Sequence, residues 1–463
     1  MANSKYEYVK LFEEEDEIML PNIIVVRVNG NEFRRFSQVH EFEKPNDVKA
    51  LELMIECAKA VSEQFPDIVF SYGFSDEFSF IFKRATQFYH RRASKINSLV
   101  VSFFTSVYIT KWKTIFCQKE LRCAPSFRSQ VIYCASLDVL QAYLFWRQYE
   151  CHLNNQHHTC LWHLIKCGKS EKEANEMMKG SQKQDRNELL FQRFNINYKK
   201  DIPEIYRQGT CVLKAEVVSI PSLKLISLVE DVVKFKSDGC PVKRQRRKVT
   251  TLYSENIASR RFWNEQRCLT KELGYFTDDL NKTHSEYIKS FQYKSKLMPY
   301  TWIAIRIDGC HFHRQAASRF SEIHGYEKPN DAAALRLMNS CAANVLESFK
   351  DIVFAYGVSD EYSFVLRKES VFFGRRVSDL VSTVVSLFTS MFTMRWNDFF
   401  PYKGMKLPPY FDGRAICYPS SQILRDYLSW RQVDCHINNQ YNTCFWMLVK
   451  SGKTKSEAQK LLK

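Results

Sequence analysis

The sequence predicts an α+β protein made of two tandem copies of one domain, called here the first and the second repeat. The duplication is the first observation behind this prediction, because several stretches recur in the same order. The matching stretches are 22–30 with 301–309, 43–47 with 327–331, 75–77 with 359–361, 146–148 with 430–432 and 151–152 with 435–436. The second observation is the order of patterns within each repeat: strand, helix, hairpin, helices, strand and helices. This order is typical of an α+β domain.

The repeat signal disappears between residues 219 and 280, so this segment is predicted to be a basic linker. It separates a first repeat at 1–218 from a second repeat at 281–463, and each is long enough to bury its own core. The second repeat carries an insert at 315–319, and it is expected to lack a counterpart of residues 187–198.

The first strand of the second repeat, residues 303–309, is a mostly apolar run that ends in Asp308 and a glycine. Such a run predicts a buried strand, and the glycine allows a ligand to approach the backbone closely. Residues 351–357 and 362–366 predict two further strands, joined by Ser-Asp-Glu at 359–361. Two acidic strand ends placed side by side would bind a hard cation such as Mg²⁺.

A helix is predicted after the first strand of each repeat, because Pro and Asp at 45–47 and 329–331 suit a first helical turn. Apolar residues then recur at helical spacing and predict a core face. The long apolar regions at 94–116 and 378–400 predict further helices. Residues 412–418 predict a turn and a strand, and the first repeat has Arg-Ser-Gln at 128–130 where the second has Asp-Gly-Arg.

Asp308 and Asp360 are the predicted catalytic pair, because two carboxylates on neighbouring strands can bridge two Mg²⁺ ions. Glu361 is included as a third catalytic candidate that either assists or faces solvent. Strand-end acids also cap turns, and this alternative stays open. Lys328, just before the long helix, is predicted to neutralise phosphate oxygens, and the alternative is a plain surface charge.

The net charge of +16 and a pI near 9.1 favour a polyanionic partner, with nucleic acid ahead of an acidic membrane. The basic cluster at 243–248 indicates a nuclear-import signal, a nucleic-acid clamp or a solvated loop. The 15 cysteines are too scattered for a disulfide scaffold, so reduced thiols in an intracellular protein are expected. No signal peptide is expected, because the first residues lack an apolar core. No membrane span is expected either, since the best candidate at 380–394 carries several Ser and Thr.

Two clusters in the helical region have competing interpretations. A zinc site is disfavoured, because the second repeat has Tyr, Asn and Met where the first has three of its histidines. The first-repeat residues concerned are Cys151, His152, His157, His158, Cys160 and His163. His-Ile-Asn-Asn at 436–439 suits bonds to RNA, and helix capping is the alternative.

These residues resemble the tRNA-His guanylyltransferase family, and the tandem layout is similar to that of its plant members. The motifs that carry the resemblance are 306–309, 327–331, 359–364, 412–414 and 435–439. The resemblance implies a core like the palm of DNA polymerases, with helices on an antiparallel sheet. It implies that ATP adenylylates the 5′-phosphate of tRNA-His and that the GTP 3′-OH then attacks, which adds a G at position −1. Two Mg²⁺ ions would serve this chemistry. A homo-oligomer is also implied, and the basic cluster predicts a nuclear protein with a possible cytoplasmic fraction.

The resemblance also implies site residues. Metal ligands would be Asp308, Gly309 and Asp360, with Gly30 and Asp76 in the first repeat. Nucleotide contacts in the second repeat would be Asp308, Gly309, Cys310, His311, Phe312, His313, Lys328, Ser359 and Asp360. Those in the first repeat would be Asn29, Gly30, Asn31, Glu32, Phe33, Arg34, Lys44, Ser75 and Asp76. His436 would contribute to tRNA recognition.

The first repeat departs from the family pattern at Asn29, which stands where the family has a metal-binding Asp. An amide binds a divalent ion more weakly and adds no charge. The sequence therefore predicts an active guanylyltransferase whose chemistry is in the second repeat. The alternative is a non-catalytic tRNA-binding scaffold derived from the enzyme.

Overall fold

The structure is a computed structural model, and it describes residues 4–13, 15–215, 248–253, 256–257, 259–274, 295–312 and 320–462. Three predicted features lie outside these residues: the basic cluster up to 247, the insert at 315–319 and His313.

The first repeat is an antiparallel sheet with helices packed on both faces. Its elements are β1 (Ile23–Gly30), α1 (Phe33–Val39), α2 (Val48–Gln64), β2 (Ile68–Phe74), β3 (Glu77–Phe82), α3 (Ala93–Ile115), β4 (Phe127–Cys134), α4 (Leu137–Lys166), α5 (Glu171–Met178), α6 (Lys183–Phe194), α7 (Tyr198–Asp201), α8 (Glu204–Gln208) and β5 (Thr210–Ala215). A further strand, β6 (Lys248–Tyr253), completes a 6-stranded sheet of order β4-β1-β3-β2-β5-β6.

Two short helices follow this sheet, α9 (Arg260–Glu265) and α10 (Arg267–Leu273). The second repeat then contains β7 (Trp302–Gly309), α11 (Phe320–Ile323), α12 (Ala332–Ser348), β8 (Ile352–Val358), β9 (Glu361–Leu366), α13 (Val377–Met394), α14 (Trp396–Phe399), β10 (Phe411–Tyr418), α15 (Ser421–Lys450) and α16 (Lys455–Leu461). Its described sheet has 4 strands in the order β10-β7-β9-β8, which matches β4-β1-β3-β2 of the first repeat. The predicted α+β class with antiparallel sheets is confirmed.

The alternation of side chains along β7 explains on which face of the sheet the Asp308 carboxylate lies. Ile303, Ile305 and Ile307 are buried in the core beneath α12 and α13. Ala304 packs on the opposite face, against α15. Because successive side chains of a strand point to opposite faces, Asp308 shares the face of Ala304. The carboxylate therefore stands on the α15 side of the sheet, at its end.

The predicted helix after each first strand is present as α2 and α12. Asp47 caps α2 by accepting a hydrogen bond from the Ala50 N–H, at 2.9 Å. Asp331 caps α12 through the N–H groups of Ala333 and Ala334. These carboxylates satisfy helix N–H groups that have no partner within the helix. Both helices bury an apolar face under the sheet.

Part of the segment predicted as a linker belongs to the first repeat, and this corrects the predicted boundary. Residues 248–253 form β6, which pairs antiparallel with β5. Phe262 and Trp263 are buried, and the Trp263 ring lies 5.8 Å from that of Phe70 on β2. The second repeat has no similar sequence to compare with this stretch, so the repeat signal ends before the sheet of the first repeat does.

The two repeats pack on each other through the long helices α3 and α13. Each helix offers serine hydroxyls to the outer strand of the other repeat. Ser386 of α13 accepts from the Phe127 N–H of β4 at 2.9 Å, and Ser102 of α3 accepts from the Phe411 N–H of β10 at 2.8 Å. A second pair repeats the arrangement, with the Ser129 and Gly413 N–H groups bound to Ser382 and Ser98. Each repeat thereby closes the open edge of its partner's sheet.

One helix in the described part of the chain, Val377–Met394, is long and apolar enough to cross a membrane, and 72% of the window concerned is buried within the protein. Its burial comes from α3, β4 and the second-repeat core. The cysteines within the described ranges are free thiols.

Candidate active site

The candidate site lies where β7, β9 and β10 end together. Asp308 is opposite Glu361 on β9 and opposite Asp412 on β10 in the strand register. The Gly309 N–H donates to the Asp360 carbonyl at 3.0 Å, which ties the hairpin turn to the end of β7. Ser359 holds that turn with a positive φ of 56°. The structure thus brings the predicted pair, Asp308 and Asp360, to one edge.

Gly309 is required at this edge because Asp360 approaches its backbone. A Cβ placed on Gly309 would lie 3.0 Å from Asp360 Oδ2 and 2.6 Å from the Phe312 ring. The second contact is closer than side-chain carbon atoms normally approach. Any larger residue would push the Asp360 carboxylate or the following loop away from the strand end.

The surroundings of the Asp308 and Asp360 carboxyl groups disfavour their ionisation. Burial raises the pKa of Asp308, and the negative charge of Asp360 raises it further. Burial also raises the pKa of Asp360, to which Glu361 and Asp412 add. Clustered carboxylates of this kind are stabilised by a cation placed between them.

The residues at this edge fit a hard divalent ion. Two carboxylates and the Gly309 carbonyl are all oxygen donors, which Mg²⁺ prefers. Within the described ranges, no group of three or more His, Cys, Asp or Glu side chains is arranged to hold a metal. A bound Mg²⁺ would therefore take its remaining ligands from water or from substrate phosphate, as Mg²⁺ commonly does.

Glu361 is engaged differently from the two aspartates. Arg431 of α15 binds the Glu361 carboxylate in a bidentate pair. Its Nε donates to one oxygen at 2.7 Å, and a terminal nitrogen donates to the other at 3.0 Å. Both side chains are largely buried. Glu77 and Arg147 repeat this pair in the first repeat. The geometry favours a structural role for Glu361, and the predicted catalytic role has no support from its contacts.

Lys328 and Ser359 line one pocket together with Asn330 and Asp360. The Lys328 ammonium donates to Ser321 Oγ at 3.1 Å and stands beside the start of α12. Asn330 donates to Asn439 of α15 at 2.8 Å. Residues 436–439 lie in the middle of α15, so the helix-capping alternative for them is excluded. His436 itself is exposed.

The predicted nucleotide-binding residues in the loop after β7 differ in their contacts and burial. The Cys310 N–H donates to the Tyr410 carbonyl at 3.0 Å, and His311 has a positive φ of 60°. The Phe312 side chain is buried and stacks on Phe320, with ring centroids 4.5 Å apart. Phe312 is therefore mainly a core residue, although it also lines the pocket of Lys328 and Ser359.

Contacts from the first repeat complete the edge, and sequence patterns did not identify them. Lys95 of α3 donates to Asp412 Oδ2 at 2.7 Å. Glu13, at the N-terminal end of the first repeat, lies 3.3 Å from Arg306 and also pairs with Arg414. A sequence pattern within one repeat does not indicate which side chains of the other repeat it contacts.

The corresponding first-repeat edge holds Asn29 and Gly30 at the end of β1. Asn31 and Glu32 follow, and Phe33 and Arg34 begin α1. The Gly30 N–H donates to the Asp76 carbonyl at 3.0 Å, as in the second repeat. Burial raises the pKa of Asp76 to about 6.

The pocket beside this edge is larger than its second-repeat counterpart, at about 460 Å³ against about 50 Å³. Lys44, Ser75 and Asp76 line it, and Arg34 and Phe33 lie at its wall. The Lys44 ammonium donates to Ser37 Oγ at 2.8 Å.

A separate pocket of about 740 Å³ lies between α4 and α6 of the first repeat. Lys183, Lys199 and Arg207 make it basic, and Phe145 and Tyr149 add aromatic faces. His152 Nε2 is buried there without a hydrogen-bond partner. Burial lowers the pKa of His152 to about 4, so its ring is neutral at pH 7.

Comparison with known families adds two matches, each found twice along the chain. The sequence model described as tRNAHis guanylyltransferase matches residues 6–135 and 285–419. The model described as Thg1 C terminal domain matches residues 138–258 and 422–463.

Two individual plant proteins are similar over the whole chain, and one solved structure is similar over part of it. tRNA(His) guanylyltransferase 2 of Arabidopsis thaliana is 60% identical over 463 residues, covering 100% of this chain and 85% of that protein. tRNA(His) guanylyltransferase 1 of the same plant is 60% identical, with 100% and 78% covered. The crystal structure of the Saccharomyces cerevisiae tRNA(His) guanylyltransferase is 38% identical with a TM-score of 0.43, covering 45% of this chain and 93% of that one.

Proposed function

Since this chain belongs to the tRNAHis guanylyltransferase family, we propose that it adds a guanylate to the 5′ end of tRNA-His. The reaction has two steps. The 5′-phosphate of the tRNA is first adenylylated by ATP with loss of pyrophosphate. The GTP 3′-OH then attacks that phosphate and displaces AMP, which places G at position −1. The observation that carries the proposal is the carboxylate edge of Asp308 and Asp360 in the second repeat.

We assign the chemistry to the second repeat. Asp308, the Gly309 carbonyl and Asp360 would hold Mg²⁺, which when bound activates an attacking oxygen and stabilises a leaving phosphate. Lys328, beside the start of α12, binds triphosphate oxygens next to them. The exposed His436 faces the solvent side of α15, where tRNA has access.

The first repeat contributes to tRNA binding in this proposal. The pocket of about 740 Å³ combines three cations with aromatic faces, a combination that suits RNA phosphates and stacked bases. The first repeat also keeps Lys44, Ser75 and Asp76 in a pocket of nucleotide size.

Several finer features complete the proposal. Each repeat is a palm-like unit, and the division is a first repeat that includes β6, α9 and α10, a shorter basic linker and a second repeat. The tandem chain forms a homo-oligomer, in which one chain supplies two of the places of a single-domain assembly. The basic cluster at 243–248 directs the protein to the nucleus.

The decisive experiment is incorporation of labelled GTP into 5′-monophosphorylated tRNA-His under single-turnover conditions. Asp308→Ala is expected to lower the rate roughly 10²-fold or more, because a catalytic metal supplies several kcal/mol of charge stabilisation. Asp76→Ala, the matched change in the first repeat, is expected to have a weaker effect. If Asp76→Ala alone abolished incorporation, the second repeat would not be the working copy.

A non-catalytic scaffold is the weaker alternative. It would bind tRNA with the salt dependence of phosphate contacts but incorporate no nucleotide. The identity of 60% over the whole chain to proteins named as guanylyltransferases favours the enzyme.

A further inference from the structure

Two substitutions at equivalent positions distinguish the first-repeat edge from the second-repeat edge. In the second repeat, Asp308 of β7 is opposite Asp412 of β10. In the first repeat, Asn29 of β1 is opposite Arg128 of β4 in the same register. A carboxylate pair in one repeat is therefore an amide and a guanidinium in the other.

The first of these residues turns a donor toward the predicted metal ligand. The Asn29 amide N–H donates to the Gly30 carbonyl at 3.4 Å. The N–H occupies one of the two lone-pair directions of that carbonyl oxygen and leaves fewer electron pairs for a metal ion. The amide also brings no negative charge to replace that of Asp308.

Arg128 brings a fixed positive charge to the same strand end. Its Nε donates to Asn31 Oδ1 at 2.7 Å, next to the loop that follows β1. Its guanidinium carbon lies 4.5 Å from the ring centroid of Phe373 in the second repeat. The hydrogen bond and the cation–π contact hold the guanidinium in place. The first-repeat residues therefore do not fit the pair of divalent ions that the family implies.

The adjoining pocket nevertheless retains groups that bind anions. Its volume of about 460 Å³ lies within the usual range for small-molecule sites. Lys44 is only half-buried, donates to Ser37 and lies 5.9 Å from the ring centroid of Trp162. The lining also includes further polar and charged residues: Ser75, Asn46, His158 and Arg34, together with the carboxylates Glu43, Asp47, Asp76 and Glu171.

We propose that the first repeat binds a nucleoside triphosphate without a divalent ion and without catalysing transfer. Lys44 supplies the charge that neutralises the phosphates, and Asn29 with Arg128 excludes the metal ions. This inference rests on the proposed function, in which the first repeat keeps its nucleotide pocket.

The test uses the full chain with Asp308→Asn and Asp360→Asn, which disables the metal site of the second repeat. Titration calorimetry with GTP in EDTA is expected to detect binding whose Kd is within about threefold of that in Mg²⁺. Adding Lys44→Ala is expected to weaken this binding about tenfold, or 1.4 kcal/mol. The control is Lys59→Ala, a lysine paired with Glu56 away from the pocket, which leaves the Kd unchanged. Loss of binding in EDTA, or binding indifferent to Lys44, would overturn the proposal.

A second readout measures the metal directly. Mn²⁺ binding to the protein without nucleotide, followed by electron paramagnetic resonance, is expected to be lost in the Asp308→Asn, Asp360→Asn chain. Adding Asn29→Asp and Arg128→Asp to that chain is expected to restore it. Mn²⁺ retained before these additions would contradict the proposal. Guanylate addition by the wild-type chain tests the proposed function separately, so the two failures are distinguishable.

Discussion

Ser386→Ala tests whether the serines of α13 and α3 stabilise the contact between the repeats. Ser386 Oγ accepts from the Phe127 N–H at 2.9 Å and contacts Thr105 Oγ1 at 2.9 Å, and all three groups are buried. The Thr105 hydroxyl keeps its bond to the Val101 carbonyl at 2.7 Å, so the variant leaves one backbone N–H without an acceptor. An unsatisfied buried donor costs about 1–3 kcal/mol.

The assay is thermal unfolding of the full chain followed by circular dichroism. At about 2–4 °C per kcal/mol for a domain of about 150–250 residues, the apparent Tm is expected to fall by roughly 2–12 °C. Ser102→Ala, which leaves the Phe411 N–H unpaired, is expected to produce a similar fall. The control is Ser451→Ala, because its exposed hydroxyl bonds only the Leu448 carbonyl. Equal shifts in Ser386→Ala and Ser451→Ala would refute the reasoning.

Three further outcomes are expected. Lys95→Met removes the partner of Asp412 beside the candidate site. The rate of guanylate addition in a single-turnover assay should fall about tenfold, or 1.4 kcal/mol. An unchanged rate would mean that the first repeat does not act on this site. Arg431→Met leaves the largely buried Glu361 carboxylate unpaired and should cost about 3–5 kcal/mol in urea denaturation. Arg261→Met, in an exposed ion pair, serves as control for both variants and should change stability by no more than about 0.5 kcal/mol. Chelation by EDTA should stop guanylate addition while tRNA binding persists, and restored Mg²⁺ should recover the rate; addition that continued in EDTA would remove the metal from the mechanism.

Local patterns predicted the elements that carry the site. The apolar run before Asp308 became β7, and the Pro-Asn-Asp sequence before each long helix became its N-terminus. The Ser-Asp-Glu turn placed Asp360 against Gly309, as expected for a hairpin beside the first strand. These predictions succeed because strand alternation and helix capping depend on neighbours in sequence.

Contacts between distant segments could not be predicted in this way. The sequence predicts Glu361 as a catalytic candidate, but nothing in the local pattern marks Arg431 of α15 as its partner. Lys95 reaches Asp412 only because the repeats pack through α3 and α13. The sequence predicts residues 248–253 as linker, because the second repeat has no similar stretch with which to compare them, but they form β6. Each of these contacts is set by tertiary packing.

The reciprocal serine bonds between the repeats have a consequence for how the two sites can diverge. In a dimer of identical subunits, any substitution appears at both sites at once, so a disabled site disables its partner as well. Here the substitution of Asn29 and Arg128 occurs once per molecule, while α3 still seals β10 and supplies Lys95. Covalent fusion therefore allows the residues of one half to change while the surface of that half still covers the outer strand of the other half. Neither half expressed alone would have its outer strand covered, and each would expose an edge prone to aggregation.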